Sequence, residues 1–249
     1  MNFLGIIPAR YESTRFPGKP LADINGKPMI QHVYEQASKA LKTVYTATDD
    51  RSIEQAVKNF GGKVVMTSVQ HRCGTERCAE AAGKIQSETG ISYDVIINIQ
   101  GDEPFIHPEQ LEKIKALFDD NKVQIGTLIK PMAKEEDVSN PNIVKVVTDI
   151  NNNALYFSRL AIPCVQNSVV GAEKTTYYHK HIGLYAYKSG ILQQIVKLPP
   201  SPLEISESLE QLRWLENGYS IKTTETELDS YSIDTPDDLE KVIQKRTNF

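Results

Sequence analysis

The chain has 249 residues, 40% of them hydrophobic and 24% charged. A chain of this length buries about 70–75% of the surface that its unfolded form exposes, so it needs no disulfide or metal staple to fold. The net charge of −4 argues against a surface devoted to nucleic acid, so any phosphate recognition has to be local. Cys73, Cys78 and Cys164 are an odd set that fits a reducing compartment. No signal-like leader precedes the first strand and no stretch suggests membrane insertion, so the cytoplasm is the expected location.

The first apolar run, Phe3-Leu4-Gly5-Ile6-Ile7, reads as a buried strand that delivers Arg10, Arg15 and Lys19 into a loop punctuated by Pro8, Pro17 and Pro20. From Pro28 onward, Ile30, Val33, Tyr34, Ala37 and Leu41 fall on one helical face, and 43–47 reads as the next strand. Ser52 is the expected cap of a helix carrying Ile53, Val57 and Phe60, closed by Gly61-Gly62 before a strand over 63–66. A helix over about 75–87 then precedes 95–100, a nearly continuous apolar run suited to a central strand covered on both faces. Pro108 starts another helix.

This alternation predicts an α/β fold with a doubly wound, mostly parallel sheet, whose ligand cleft lies beyond the carboxyl ends of its strands. The middle third differs: 144–147, 154–157 and 181–187 read as strands around an irregular 160–180 segment, which suggests an antiparallel addition. Pro163 through Tyr178 is the expected mobile loop. Pro199, Pro200 and Pro202 punctuate the chain before a long helix over 202–217. With no interdomain linker, 1–249 is expected to be a single domain, with about 130–190 as an inserted subregion.

Five constellations could carry chemistry. In the opening loop, Pro20 follows Gly18-Lys19 where a nucleoside-triphosphatase loop needs Ser or Thr, and no G-x-G-x-x-G follows a strand. The cations there serve either an anion site or surface carboxylates. Gln100-Gly101-Asp102-Glu103-Pro104 sets two carboxylates at a strand end, where Asp102 suits magnesium shared with substrate phosphate; alternatively this is a solvated turn with Glu103 capping a helix. Asp234-Thr235-Pro236 reads on spacing as a helix cap, and only a meeting with Asp102 would make Asp234 a metal ligand. His71 to Cys78 lacks structural zinc spacing, whereas Gly74, Thr75 and Arg77 resemble a helix start able to meet a base or phosphate. On the 202–217 helix, Glu207, Glu210, Gln211 and Trp214 would share a polar face opposite Ile205, Leu209 and Leu212, either solvent surface or a wall for a hydroxylated ligand.

Together these residues resemble the 3-deoxy-manno-octulosonate (Kdo) cytidylyltransferases, or CMP-Kdo synthetases, of the sugar nucleotidyltransferase superfamily. The likeness runs through 6–11, Ser13-Thr14-Arg15, 17–20, 25–30, 74–77, 100–104, Asn140-Pro141-Asn142, 144–147, 154–159, His181-Ile182-Gly183, Tyr185-Ala186-Tyr187, 200–204, 209–213 and Asp234-Thr235-Pro236. Departures fall at Ile205-Ser206 and in the 160–180 loop.

The resemblance implies magnesium-dependent transfer of CMP from CTP to the anomeric hydroxyl of Kdo for lipopolysaccharide biosynthesis. The alternatives are a cytidylyltransferase for another 2-keto acid sugar, such as 8-amino-Kdo or sialic acid, and a silent CTP-binding protein. It assigns catalysis to Arg10, Lys19 and Asp102, and nucleotide binding to Arg10, Ser13, Lys19, Gly74, Thr75, Arg77 and Gln100. Gln100, Arg159, His181, Tyr185, Glu210 and Gln211 would bind the sugar, Asp102 and Asp234 would hold Mg2+, and 130–190 would serve sugar binding or dimerisation. CTP and Kdo are then the small-molecule partners and a homodimer is the expected assembly.

Overall fold

A computed structural model describes residues 1–133, 135–164 and 178–247. The chain forms two compact units, one of 1–112 with the segment from Ser230 onward and one of Lys113–Asp229. The second unit is broader than the 130–190 insertion expected from the sequence.

The first unit begins with β1 (Phe3–Ala9), whose Leu4, Ile6 and Ile7 are fully buried. After the loop come the two-residue strands β2 (Asp23–Ile24) and β3 (Lys27–Pro28), then α1 (Met29–Ala40) and β4 (Val44–Thr48). α2 (Arg51–Asn59), β5 (Val64–Met66), α3 (Gly74–Thr89), β6 (Val95–Asn98) and α4 (Pro108–Ala116) continue the alternation. The order β6-β1-β4-β5 is parallel throughout. Because β4 and β5 build outward from one side of β1 and β6 from the other, the winding reverses between β1 and β6. A crevice at their carboxyl ends is where such sheets take ligands.

All four residues of β6 are buried, as a strand covered on both faces requires. α1 buries Ile30, Val33 and Ala37 of the expected stripe together with Met29, whereas Tyr34 is only half-buried. The cap of α2 differs from the expectation. Asp50 rather than Ser52 precedes the helix, its Oδ1 accepting the N–H groups of Ser52 at 2.8 Å and Ile53 at 3.0 Å. An ionised carboxylate is a stronger acceptor than a hydroxyl at the positive end of a helix.

The second unit contains β7 (Ile125–Pro131), β8 (Lys145–Thr148), β9 (Ala154–Ser158) and β10 (His179–Lys188). It continues with α5 (Ser189–Ile195), α6 (Pro202–Glu207), α7 (Gln211–Glu216) and β11 (Ile221–Glu225). β10 runs antiparallel to β7 and β8, and β8 and β9 form a hairpin, giving the antiparallel addition read from the sequence. β11 pairs parallel to β7; neither β7 nor β11 was among the expected strands. Residues 165–177 of the loop expected at 163–178 lie outside the described residues.

The single long helix expected over 202–217 is instead two short ones. Ser208 adopts a left-handed conformation, φ 52°, after a Ser201/Glu204 capping box starts α6. The kink changes part of the expected pattern: Leu209 and Leu212 are buried as expected, but Trp214 is 1% exposed, whereas Ile205 is 67% exposed. The Arg213 guanidinium donates to Glu204 across the kink, with Nε at 2.6 Å, so an ion pair joins the two short helices. α8 (Pro236–Thr247) returns the chain to the first unit.

Candidate active site

Beyond β1 the chain turns through a loop that its own backbone closes. Gly18 N–H donates to Tyr11 O at 2.9 Å, and the left-handed φ of 69° at Gly18 lets the chain enter a single 3-10 turn, Lys19–Leu21. Phe16 N–H reaches Ser13 Oγ at 3.4 Å. Arg10, Ser13, Arg15 and Lys19 from this loop line a cavity of about 330 Å³ within the first unit.

The opposite wall is the turn after β6. Gly101 lies so close to β1 that a Cβ there would stand 2.8 Å from Pro8 O. This contact brings Gln100, Gly101 and Asp102 to the same cavity. Asp102 Oδ2 accepts from Lys19 Nζ at 2.6 Å, and Asp234 Oδ1 accepts from the same ammonium at 3.3 Å and pairs with Arg15 Nη2 at 3.1 Å. The meeting of Asp102 with Asp234 that spacing left open therefore occurs, and it occurs across Lys19. Ile233 N–H donates to Asp102 O at 2.9 Å, so main chain as well as side chains holds the two segments together.

Of the two expected caps of the last helix, Thr235 takes the role and Asp234 does not. Thr235 N–H donates to Asp238 Oδ2 at 3.0 Å and Asp238 N–H to Thr235 Oγ1 at 3.2 Å, a reciprocal box ahead of α8. The Asp234 carboxylate thus faces the cavity. Glu103 is neither a solvated residue nor a cap: it is 7% exposed and accepts from the Ser230 hydroxyl. Burial, reinforced by the Asp102 charge against the help of Ser230, pushes its carboxyl up to about 7.

The third wall is the start of α3, with Arg72, Gly74 and Arg77 at the cavity. Arg77 is 4% exposed, donating from Nη1 to Thr67 Oγ1 at 2.6 Å and from Nη2 to Asp49 Oδ2 at 2.7 Å. Thr75 is buried and does not line the cavity. Arg72 was not singled out from the sequence. Glu76 holds it, accepting its main-chain N–H at 2.8 Å and its Nη2 at 2.8 Å. The visible signal was Glu76 four residues after Arg72, at a helix start.

Two carboxylates from separate segments, beside a cationic loop, suit a magnesium ion that completes its shell with phosphate oxygens. No cluster of three or more His, Cys, Asp or Glu able to hold a metal occurs among the described residues. Among the described residues no disulfide joins Cys73, Cys78 or Cys164.

Apart from Gln100, the residues assigned to the sugar lie in the second unit. The Arg159 guanidinium donates to the carbonyls of Glu207 at 2.7 Å, Pro141 at 2.9 Å and Ser208 at 3.3 Å. His181 packs edge-on to Phe157 and beside Tyr185, with Nε2 3.1 Å from Thr127 Oγ1. Burial drives its imidazole down to about 3. The Thr127 hydroxyl can donate to Leu184 O at 2.9 Å, which makes Nε2–H of a neutral His181 the donor to Thr127. Tyr185 is buried, and desolvation, followed by the charge of Glu210, holds its phenol well above the usual range. Gln211 is 6% exposed at the start of α7.

A reversing parallel sheet with a cationic loop and paired aspartates at its switch point is the architecture of a nucleotidyltransferase. The family profile described as Cytidylyltransferase matches residues 4–243. The chain is 58% identical over 98% of its length to the 3-deoxy-manno-octulosonate cytidylyltransferase of Parabacteroides distasonis, covering 97% of that protein. It is 45% identical over its whole length to the Geobacter metallireducens enzyme of that name, covering 99% of it. A solved structure of a CMP:2-keto-3-deoxy-manno-octonic acid synthetase complexed with CTP is 44% identical, with a TM-score of 0.90 over 100% of this chain and 99% of that one. The protein belongs to the 3-deoxy-manno-octulosonate cytidylyltransferase family and is a nucleotidyltransferase enzyme. Among the described residues no helix is long and apolar enough to cross a membrane.

Proposed function

We propose that the protein transfers CMP from CTP to the anomeric hydroxyl of Kdo, with Mg2+, releasing pyrophosphate. We further propose that it acts as a cytoplasmic homodimer supplying CMP-Kdo to lipopolysaccharide biosynthesis. The observation that carries this reading is the cavity at the β1/β6 switch point, where Arg10 and Lys19 face Asp102 and Asp234. It is supported by whole-length likeness to a synthetase solved with CTP.

In this reading Arg10 and Lys19 grip the triphosphate and stabilise charge growing on the α-phosphoryl group and on the leaving pyrophosphate. Ser13 adds a hydrogen bond, and Gly74 and Thr75 at the start of α3 supply the positive end of a helix. Asp102 and Asp234 are the residues that would hold the metal, which when bound acts as a Lewis acid toward phosphate oxygens and the attacking hydroxyl. The anomeric oxygen bonds to the α-phosphorus as the bond to the β-phosphate oxygen breaks. Pyrophosphate leaves with the electron pair, and the hydroxyl proton passes to solvent. Gln100 stands between nucleotide and sugar, and Arg77 acts from behind the nucleotide through its ion pair with Asp49.

Arg159, His181, Tyr185, Glu210 and Gln211 form the proposed sugar group, with Arg159 offering a guanidinium suited to the Kdo carboxylate. A panel crossing CTP, ATP, GTP and UTP with Kdo, 8-amino-Kdo and N-acetylneuraminate, read by pyrophosphate release, tests the proposal. Release should require CTP, Kdo and Mg2+ together. A preference for another sugar, or release from CTP alone, contradicts it.

A further inference from the structure

Lys19 occupies an unusual position for a residue assigned to the triphosphate. Its ammonium is bonded to both aspartates read as metal ligands, 2.6 Å from Asp102 Oδ2 and 3.3 Å from Asp234 Oδ1, and its side chain is only 14% exposed. Arg15 adds a second cation at Asp234 Oδ1. Two carboxylates are therefore balanced by two side-chain cations.

A magnesium ion needs carboxylate oxygens at about 2.0–2.1 Å in a near-ideal octahedron. An ammonium already on one oxygen of each carboxylate competes with it directly. The backbone around the ammonium is pinned: Lys19 N–H donates to Phe16 O at 3.2 Å, Ala22 N–H donates back to Lys19 O at 3.0 Å, and Pro20 is buried. A lysine stem is a flexible four-carbon chain, and its ammonium makes bonds as a rotatable point charge. The Ile233–Asp102 main-chain bond does not involve the ammonium.

We propose that Lys19 is an internal counter-ion that holds the metal position in the free enzyme and yields it only when a triphosphate draws the ammonium away. On this account Lys19 couples metal binding to nucleotide binding and keeps the nucleotide-free site from loading with a divalent cation. The proposal rests on the reading of Asp102 and Asp234 as the metal ligands. Since coupling is reciprocal, removing the ammonium raises metal affinity in the free protein and weakens the further gain that CTP brings.

The test is Mn2+ binding to the full chain by electron paramagnetic resonance, without and with CTP, no sugar being present, against CTP alone as reference. Wild type should bind Mn2+ weakly until CTP is added. Lys19→Met and Lys19→Gln should bind it at least about tenfold more tightly without nucleotide, with a smaller gain on adding CTP, while Lys19→Arg retains the suppression. Unchanged Mn2+ affinity in free Lys19→Met and Lys19→Gln, with the CTP-dependent gain still present in wild type, overturns the counter-ion role alone. If wild type with CTP holds no more Mn2+ than CTP by itself, or if Asp102→Asn holds as much as wild type, the metal reading fails and the proposal falls with it.

Discussion

Gly101→Ala probes the contact that brings the two walls of the cavity together. A Cβ at this position would sit 2.8 Å from Pro8 O, where ordinary contact begins at 3.4 Å, so β1 and the turn after β6 must separate by about 0.6 Å. The obstacle is main chain, which cannot swing aside as a side-chain tip does. Overpacking of this kind costs about 1–3 kcal/mol, and in a chain of this size each kcal/mol lowers Tm by about 2–4 °C. The same separation moves Asp102 relative to Lys19, so turnover should fall on the order of 10- to 100-fold. Thermal unfolding followed by circular dichroism and steady-state pyrophosphate release read the two effects. Gly83→Ala is the control, because that helical glycine is exposed with nothing within 4 Å of a Cβ and alanine there should add up to about 1 kcal/mol. If Gly101→Ala melts and turns over as wild type does, the close approach has no role in building the site.

Asp102→Asn should remain folded and lose on the order of 10²- to 10³-fold in turnover; an unchanged kcat would remove Asp102 from the metal role. Arg77→Met strands Asp49 and should cost about 2–4 kcal/mol in urea unfolding without nucleotide, with Arg77→Met/Asp49→Asn recovering much of it. Equal stability of the single variant and wild type would place Arg77 outside the structural ion pair. His181, held at about 3 when folded against an ordinary 6.5, contributes fully above pH 6.5, and its contribution fades as pH falls from 6.5 toward 3 because the unfolded chain takes the proton first. His181→Gln should therefore flatten the loss between pH 6.5 and 4.5, which for wild type is at most about 2–3 kcal/mol from this group. Parallel stability profiles of the two proteins would refute a buried neutral imidazole.

Much of the first unit was legible because its signals are local. The buried run at 95–98, the helical stripe of Ile30, Val33 and Ala37 and the glycine turn at 61 follow from periodicity and backbone conformation alone. A cleft beyond the carboxyl ends of the strands followed from the alternation, and the loop cations from their place after β1. What spacing could not supply was geometry across the chain. Lys19 and Asp234 are 215 positions apart, and only the fold makes Lys19 the bridge between the aspartates.

The second unit was less legible for physical reasons. β7 and β11 pair with each other and gain their stability from register rather than from a short-range motif. The helix over 202–217 had a plausible polar face, yet the left-handed turn at Ser208 breaks it, and Arg213 and Glu204 hold the break. Glu103 looked like a surface carboxylate because nothing nearby in sequence announces Ser230, 127 residues on.

The most direct test of the central claim is the fate of the phosphorus atoms, followed by 31P nuclear magnetic resonance as the enzyme, CTP, Kdo and Mg2+ are mixed. The account predicts that the three CTP resonances give way to pyrophosphate and one phosphodiester in equal amounts, and that omitting Kdo or Mg2+ leaves CTP intact. Orthophosphate with CDP, or CMP with pyrophosphate in the absence of sugar, would contradict it.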